Sequence, residues 1–192
     1  MSTAEDAPAA QFCSYETFGV RFFEHAVTAE RIVAAMSGVV GSEIEFGPVG
    51  AGPGRVARVS ATGQVGTPRA TRTATDPLVF RLVVPVDLTL VVQLGGQTHR
   101  FDADLTVGVA LTARAAEPLT IVIDIEPPTA EDVRVTVNAQ GLRATLLQYV
   151  AGIDDEIRRF VAKYVAREIA KPGVQRARVI DVAARIDAAW GR

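Results

Sequence analysis

Cysteine is almost missing from this chain: Cys13 stands alone among 192 residues. That excludes an intrachain disulfide and makes a cysteine-ligated zinc site implausible. Histidine is nearly as scarce, and His25 and His99 lie too far apart for metal-ligand spacing. Lysine is confined to Lys163 and Lys171, and the arginines are spread over every segment, as compositional bias rather than as a phosphate-binding cluster. A net charge of −2 gives no general pull toward nucleic acid or anionic membranes. No run of 18 apolar residues occurs, so no transmembrane segment is expected, and residues 1–10 have neither a basic nor an apolar stretch typical of export signals. The expectation is a soluble cytoplasmic protein with no cofactor and no metal. The apolar share of 48% and charged share of 22% fit one globular domain over 15–192, behind a disordered leader at 1–14.

What the chain has in abundance is alternation. In Leu78–Leu94 every even position is apolar, the period of a β-strand with one dry and one wet face. The same period runs through 55–65, through the stretch after Gly95-Gly96-Gln97, and through Leu119–Ile125 and Val133–Ala139. Gly95-Gly96 between two such runs signals a tight hairpin. Short connections favour an antiparallel meander, with 66–77 a polar connection and 47–54 a glycine-rich loop. Earlier, 15–27 is rich in aromatic and β-branched residues and reads as a strand. Thr28 then caps a helix whose apolar stripe includes Ile32, Val33, Met36 and Val39.

After Gly141 the period changes to 3.6. Leu142, Leu146, Ile153, Ile157, Phe160, Val161, Tyr164 and Ile169 form one stripe, with Gly152 a point of division and Asp154, Asp155 and Arg158 on the opposite face. Pro172-Gly173 stops the helix; 174–182 reads as a short strand and 181–190 as a last helix turning Val182, Ile186, Ala189 and Trp190 inward. A one-faced sheet must cover its apolar side. The predicted fold is α+β: a long, strongly curved antiparallel sheet wrapped around a long C-terminal helix, with a shorter N-terminal helix.

The stretch 105–171 carries Ala116-Glu117-Pro118-Leu119, Pro127-Pro128, the Gly141-Leu142 step, Val150-Ala151-Gly152-Ile153 before Ile157, Val161, Val165 and Ile169, and a closing Pro172. In that order it resembles the tubular lipid-binding superfamily, particularly the synaptotagmin-like mitochondrial lipid-binding domain. The resemblance implies a half-tube holding acyl chains, without catalysis. The lead-in before the first helix is more similar to the START-like helix-grip fold, which also encloses an apolar cavity.

The expected ligand wall is Leu82, Val84, Val86, Leu88, Phe101, Leu105, Val107, Val109, Ile121, Ile123, Val135, Val137, Ile157, Phe160, Val161 and Tyr164. Small inward residues, Ala57, Ala61, Gly63 and Ala103, leave volume for a ligand. His99, Tyr164 or Arg81 at the rim would orient a head group. The function expected is binding or carrying a hydrophobic small molecule or lipid. The alternative is an enzyme cyclising, isomerising or dehydrating an apolar metabolite, with His25 or His99 as base. A third reading is a homodimer joined by sheet edges or by the strand at 15–27. Asp102 and Asp104, and Asp124 and Glu126, take the wet parity and read as solvated charges; Asp87 on the same side would meet a neighbouring arginine.

Overall fold

The computed structural model describes residues 11–51, 53–138 and 144–191. Expectations for residues 1–10 and for the Gly141-Leu142 step fall outside these. The described chain is α+β. Helices α1 (Tyr15–Ala26) and α2 (Ala29–Ala35) come first. Strands β1 (Glu43–Ala51), β2 (Ala57–Val65), β3 (Arg69–Thr75), β4 (Leu78–Leu94), β5 (Gln97–Ala116), β6 (Thr120–Glu126) and β7 (Val133–Asn138) follow. Then come α3 (Ala144–Ile169), α4 (Pro172–Ala177), β8 (Val179–Asp181) and α5 (Val182–Ala189). All eight strands join one strongly curled antiparallel sheet.

Its spine is the β4–β5 hairpin, paired without a break from Leu78↔Ala113 to Leu94↔Gln97. Gly95 and Gly96 take positive φ (57° and 78°), as a two-residue hairpin turn requires. The alternation seen in the sequence is the alternation of burial: Phe80, Leu82, Val86, Leu88, Leu90 and Val92 on β4, and Phe101 through Ala113 at odd positions on β5, are all buried.

The flanks of this spine change partners at one level. On β4, β2 pairs through Val86 and β3 takes over at Val83. On β5, β7 pairs through Val107 and β6 takes over at Ala110. The sheet therefore forks into two leaves, β1-β2-β4-β5-β7 and β3-β4-β5-β6-β8, rather than running as a meander. Pro85 sits at the fork. Its carbonyl accepts from Gly66 N at 2.9 Å, so its nitrogen points the same way, into the gap between β2 and β3, where no ladder bond is lost. Gly108 lies opposite Val83, two residues from Pro85; a Cβ there would collide with the guanidinium of Arg81. Without one, Arg81 crosses the outer face and donates to Asp132 Oδ1 at 2.9 Å. Arg81 is thus engaged outside the sheet and is not a rim group of its apolar side.

The first leaf is closed by α3, which touches β7 and the 130–132 turn at one margin and β1 at the other. Phe160 stacks on Phe46 of β1, ring centres 4.6 Å apart. Ile157, Val161 and Ala162 are buried. The long helix is a single element of 26 residues, undivided at Gly152. It is not C-terminal: the helices that end the chain, α4 and α5, have six and eight residues. Pro172 ends one helix and, at the first position of the next, starts another. That is why α4 replaces the first part of the strand expected at 174–182.

Two further expectations are corrected. Most of 15–27 is helical (Tyr15–Ala26) because Phe18, Phe22 and Ala26 recur at four-residue steps and Ser14 caps the first turn, accepting from Thr17 N at 3.1 Å. The spacing outweighs the strand-like composition, and the strand edge needed there by the homodimer reading is absent. Residues 66–77 hold β3, an exposed edge strand whose Arg-Ala-Thr-Arg-Thr-Ala-Thr sequence carries no apolar alternation. The 47–54 segment likewise begins as the end of β1, with a register shift between Phe46 and Val49.

Removing the buried anchor of α3 tests this packing. Ile157, 1% exposed, changed to Ala is expected to cost about 2–5 kcal/mol in urea unfolding; a cost below about 1 kcal/mol would mean that α3 does not close the first leaf. Asp132 offers a pH test. Thr129 N donates to its carboxylate at 3.0 Å and Arg81 at 2.9 Å. The Thr129 backbone N–H foremost, then Arg81, holds its carboxyl below the usual range. That stability is present above the unfolded pKa and lost as pH falls through the folded one. Asp132→Asn is expected to flatten the acid limb of the stability profile, by up to about 1 kcal/mol for a pair this exposed. An unchanged limb would remove Asp132 as its source.

Candidate functional site

The second leaf has no long helix over it. Its apolar face, including Leu78, Phe80, Leu82, Leu111, Ala113 and Ile121, is buried beneath short pieces. From the N-terminal side come Phe22, Phe23, Ala26, Val27, Ile32 and Met36; from the C-terminal side, Ile180 and Val182. Neither α1 nor α5 has a single buried residue.

Local bonds fix both covers. α2 packs on β3, and Arg72 of β3 pairs with Glu24 of α1 at 3.2 Å. Thr28 caps α2, accepting from Arg31 N at 3.3 Å, while Arg31 Nη1 donates to Ala26 O at 3.0 Å and closes the α1–α2 corner. On the other side β8 pairs with β6 at Ile121↔Ile180. Val182 N donates to Leu119 O at 3.0 Å, and Asp181 caps α5, accepting from Ala184 N at 2.9 Å.

Between the two covers lies a cleft of about 690 Å³. Its floor is Ile121 and Ile180; one wall is Phe22, His25, Ala26 and Arg31; the other is Val182, Arg185, Ile186, Ala189 and Trp190. Trp190 is 81% exposed and Ile186 45%. The last helix therefore does not turn them into the core, as the sequence suggested. They flank an opening instead.

The expected ligand wall meets this cleft only at Ile121. Leu82, Val86, Leu88, Phe101, Leu105, Val107, Val109, Val135, Ile157 and Val161 are buried together in one core, with Val84, Ile123, Val137 and Phe160 packed against it. Tyr164 is half-buried. The space expected beside Gly63 is filled: a Cβ there would collide with the Leu88 side chain and lie 2.7 Å from Asp87 O. The histidines are separated. His25 lines the cleft, and His99 lies half-buried beside Phe101, the rings nearly parallel with centres 6.3 Å apart. Among the described residues no group of three His, Cys, Asp or Glu side chains is placed to hold a metal ion.

The outer face of the first leaf holds a second hollow, a trough of about 570 Å³ with Glu43, Glu45, Asp87, Asp102 and Asp104 among its lining residues. Asp87 stands in register between Gln64 and Asp104, rather than beside the arginine expected. Thr89 Oγ1 donates to Asp102 at 3.4 Å.

On α3, Asp154 Oδ1 and Arg158 Nε are shielded from solvent and lack hydrogen-bond partners among the described residues, although the sequence placed both residues on the wet side. Burial pushes the Asp154 carboxyl up, against the pull of the Arg158 guanidinium.

No family model matches the chain, and no curated protein matches it either. Among the described residues no helix is long and apolar enough to cross a membrane.

Sequence reasoning missed Phe22, Arg31, Ile180 and Arg185 as neighbours, because the cleft joins the two ends of the chain. The available signal was the four-residue spacing Val182, Ile186, Trp190, which marked an apolar helix face without showing what it faces.

Asp154 gives a prediction of opposite sign to Asp132. With its folded pKa raised, its favourable contribution is present at low pH and lost as pH rises through that pKa. Asp154→Asn is therefore expected to be more stable than the parent at pH 7, the gap closing below about pH 4. Urea midpoints at both pH values decide it, and a variant weaker at pH 7 would show that the carboxylate is satisfied.

Proposed function

We propose that the protein binds or carries a hydrophobic small molecule or lipid, and that the cleft over the second leaf is where it does so. The observation that carries this reading is the opening itself, about 690 Å³ between α1 and α5 with Ile121 and Ile180 as its floor. That volume lies within the range of small-molecule sites, about 300–1,000 Å³. A ligand burying about 300 Å² of apolar surface gains about 7 kcal/mol at about 25 cal/mol per Å², before the cost of immobilising it. The helices on either side, α1 and α5, have no buried residue of their own, so the apolar floor between them is left partly open. The resemblance to tubular lipid-binding modules points to the same ligand class.

An enzyme acting on an apolar metabolite is the second reading, favoured by His25 on the cleft wall. His25 shares that wall with Arg31, and no carboxylate is among the described residues lining the cleft. A base there has no acidic partner to orient it, so binding without chemistry is the better-supported reading.

A neutral dye such as Nile red is expected to bind the wild-type protein saturably with enhanced emission. Denaturing extraction followed by mass spectrometry is expected to release a co-purifying apolar compound. Ala189→Phe, which fills the cleft from an exposed helix position, is expected to weaken dye binding at least tenfold without lowering the thermal midpoint. A wild-type protein that neither binds the dye saturably nor releases any such compound would overturn the reading; undiminished binding by Ala189→Phe would move the site elsewhere.

A further inference from the structure

We infer that the cleft takes a single-chain amphipathic anion, a long-chain carboxylate, its head held by Arg31 and Arg185 and its chain laid over Ile121 and Ile180. This rests on the binding reading above and narrows it.

Charge carries the first step. Of the eleven described lining residues, Arg31 and Arg185 are cationic, His25 lies beside them, and none is acidic, in a chain whose net charge is −2. The nearby acids are occupied or turned elsewhere. Asp181 caps α5, Glu24 pairs with Arg72, and Asp187 does not line the cleft. Arg31 spends one nitrogen on Ala26 O and keeps further donors, while the Arg185 guanidinium makes no hydrogen bond or ion pair among the described residues. Two guanidinium forks over an apolar floor match a carboxylate joined to a hydrocarbon chain.

Size carries the second step. Taking a methylene as about the size of one water in the liquid, about 30 Å³, a chain of about sixteen carbons needs about 500 Å³. That fits within about 690 Å³.

Trp190 is the only tryptophan in the chain and lies at the cleft, so its emission reports occupancy directly. Submicellar hexadecanoate, hexadecanol of the same chain length, and phosphatidylglycerol vesicles are titrated separately against the full chain. Hexadecanoate is expected to shift Trp190 emission to the blue saturably, at least tenfold more tightly than hexadecanol. Arg185→Ala is expected to weaken hexadecanoate at least tenfold and hexadecanol little, and Arg185→Glu to abolish hexadecanoate binding. Both substitutions sit on an exposed residue, so far-ultraviolet circular dichroism should match the wild type. Equal affinity for acid and alcohol, or Nile red binding without hexadecanoate binding, overturns the anion inference and leaves the apolar-ligand reading standing. A shift with vesicles but not with monomeric hexadecanoate overturns it in favour of a membrane surface. Failure of every probe, Nile red included, overturns both.

Discussion

The apolar face of the β4–β5 hairpin is longer than the helix that covers it, and the rest of the architecture follows from that mismatch. Seventeen residues of β4 span about 55 Å at about 3.3 Å per residue, while the 26 residues of α3 span about 39 Å at 1.5 Å per residue. A curled leaf can wrap a helix only if the helix reaches both margins, and α3 does so between β7 and β1. It serves one leaf. The other half of the same greasy face is covered by the described segments at either end, α1 and α2 on one side and β8 and α5 on the other.

Those ends do different work from α3. The inner positions of α3 are buried among facing residues of β1, β2, β4, β5 and β7, the interdigitated packing that makes protein interiors dense. The short helices α1, α2 and α5 have only part of a face against the sheet. They are tied down by edges and caps: Asp181, the Ile121↔Ile180 rung and the Arg72–Glu24 pair. A helix held by its cap and one exposed ion pair is held weakly. A filled core and an open cleft thus stand on one continuous sheet face because cover of unequal quality meets it.

How much of this was legible in the sequence depends on the range of each signal. Period-2 alternation is local and strong, and it placed β4, β5, β6, β7 and the Gly95-Gly96 turn, along with the inward parity of Leu82, Leu105 and Val135. The fork was hidden, because no residue pattern says which neighbour a strand edge has; in hindsight Pro85 and Gly108, a missing N–H and a missing Cβ two rungs apart on the hairpin, were its marks. Residues 15–27 were misread because aromatic composition and four-residue spacing gave opposite answers in a half-exposed segment. The cleft was the least legible part. Its walls are more than 150 positions apart, Phe22 against Trp190, and they meet only because one cover docks on β3 and the other pairs with β6. Asp154 was misjudged for a simpler reason: a residue on the boundary of an apolar stripe is dry or wet according to what packs over it.

The distribution of charge adds a last constraint. Nearly every acidic side chain on the first leaf is on the outer face, where Glu43, Gln64, Asp87 and Asp104 share one cross-strand row and Glu45, Thr62, Thr89 and Asp102 the next. Among the described residues lining the cleft of the second leaf, the charged ones are the arginines Arg31 and Arg185. Fields between exposed charges decay over about 8–10 Å at physiological ionic strength, so these two hollows act as separate environments despite the small net charge of the whole. An anion meeting the surface is repelled from the trough and attracted to the cleft, whereas an uncharged apolar molecule is guided by neither. Such segregation does nothing for the core, which contains no buried charged or polar residue among those described. Its consequence falls on whatever approaches from solution, because the hollow with the apolar floor is also the one flanked by Arg31 and Arg185.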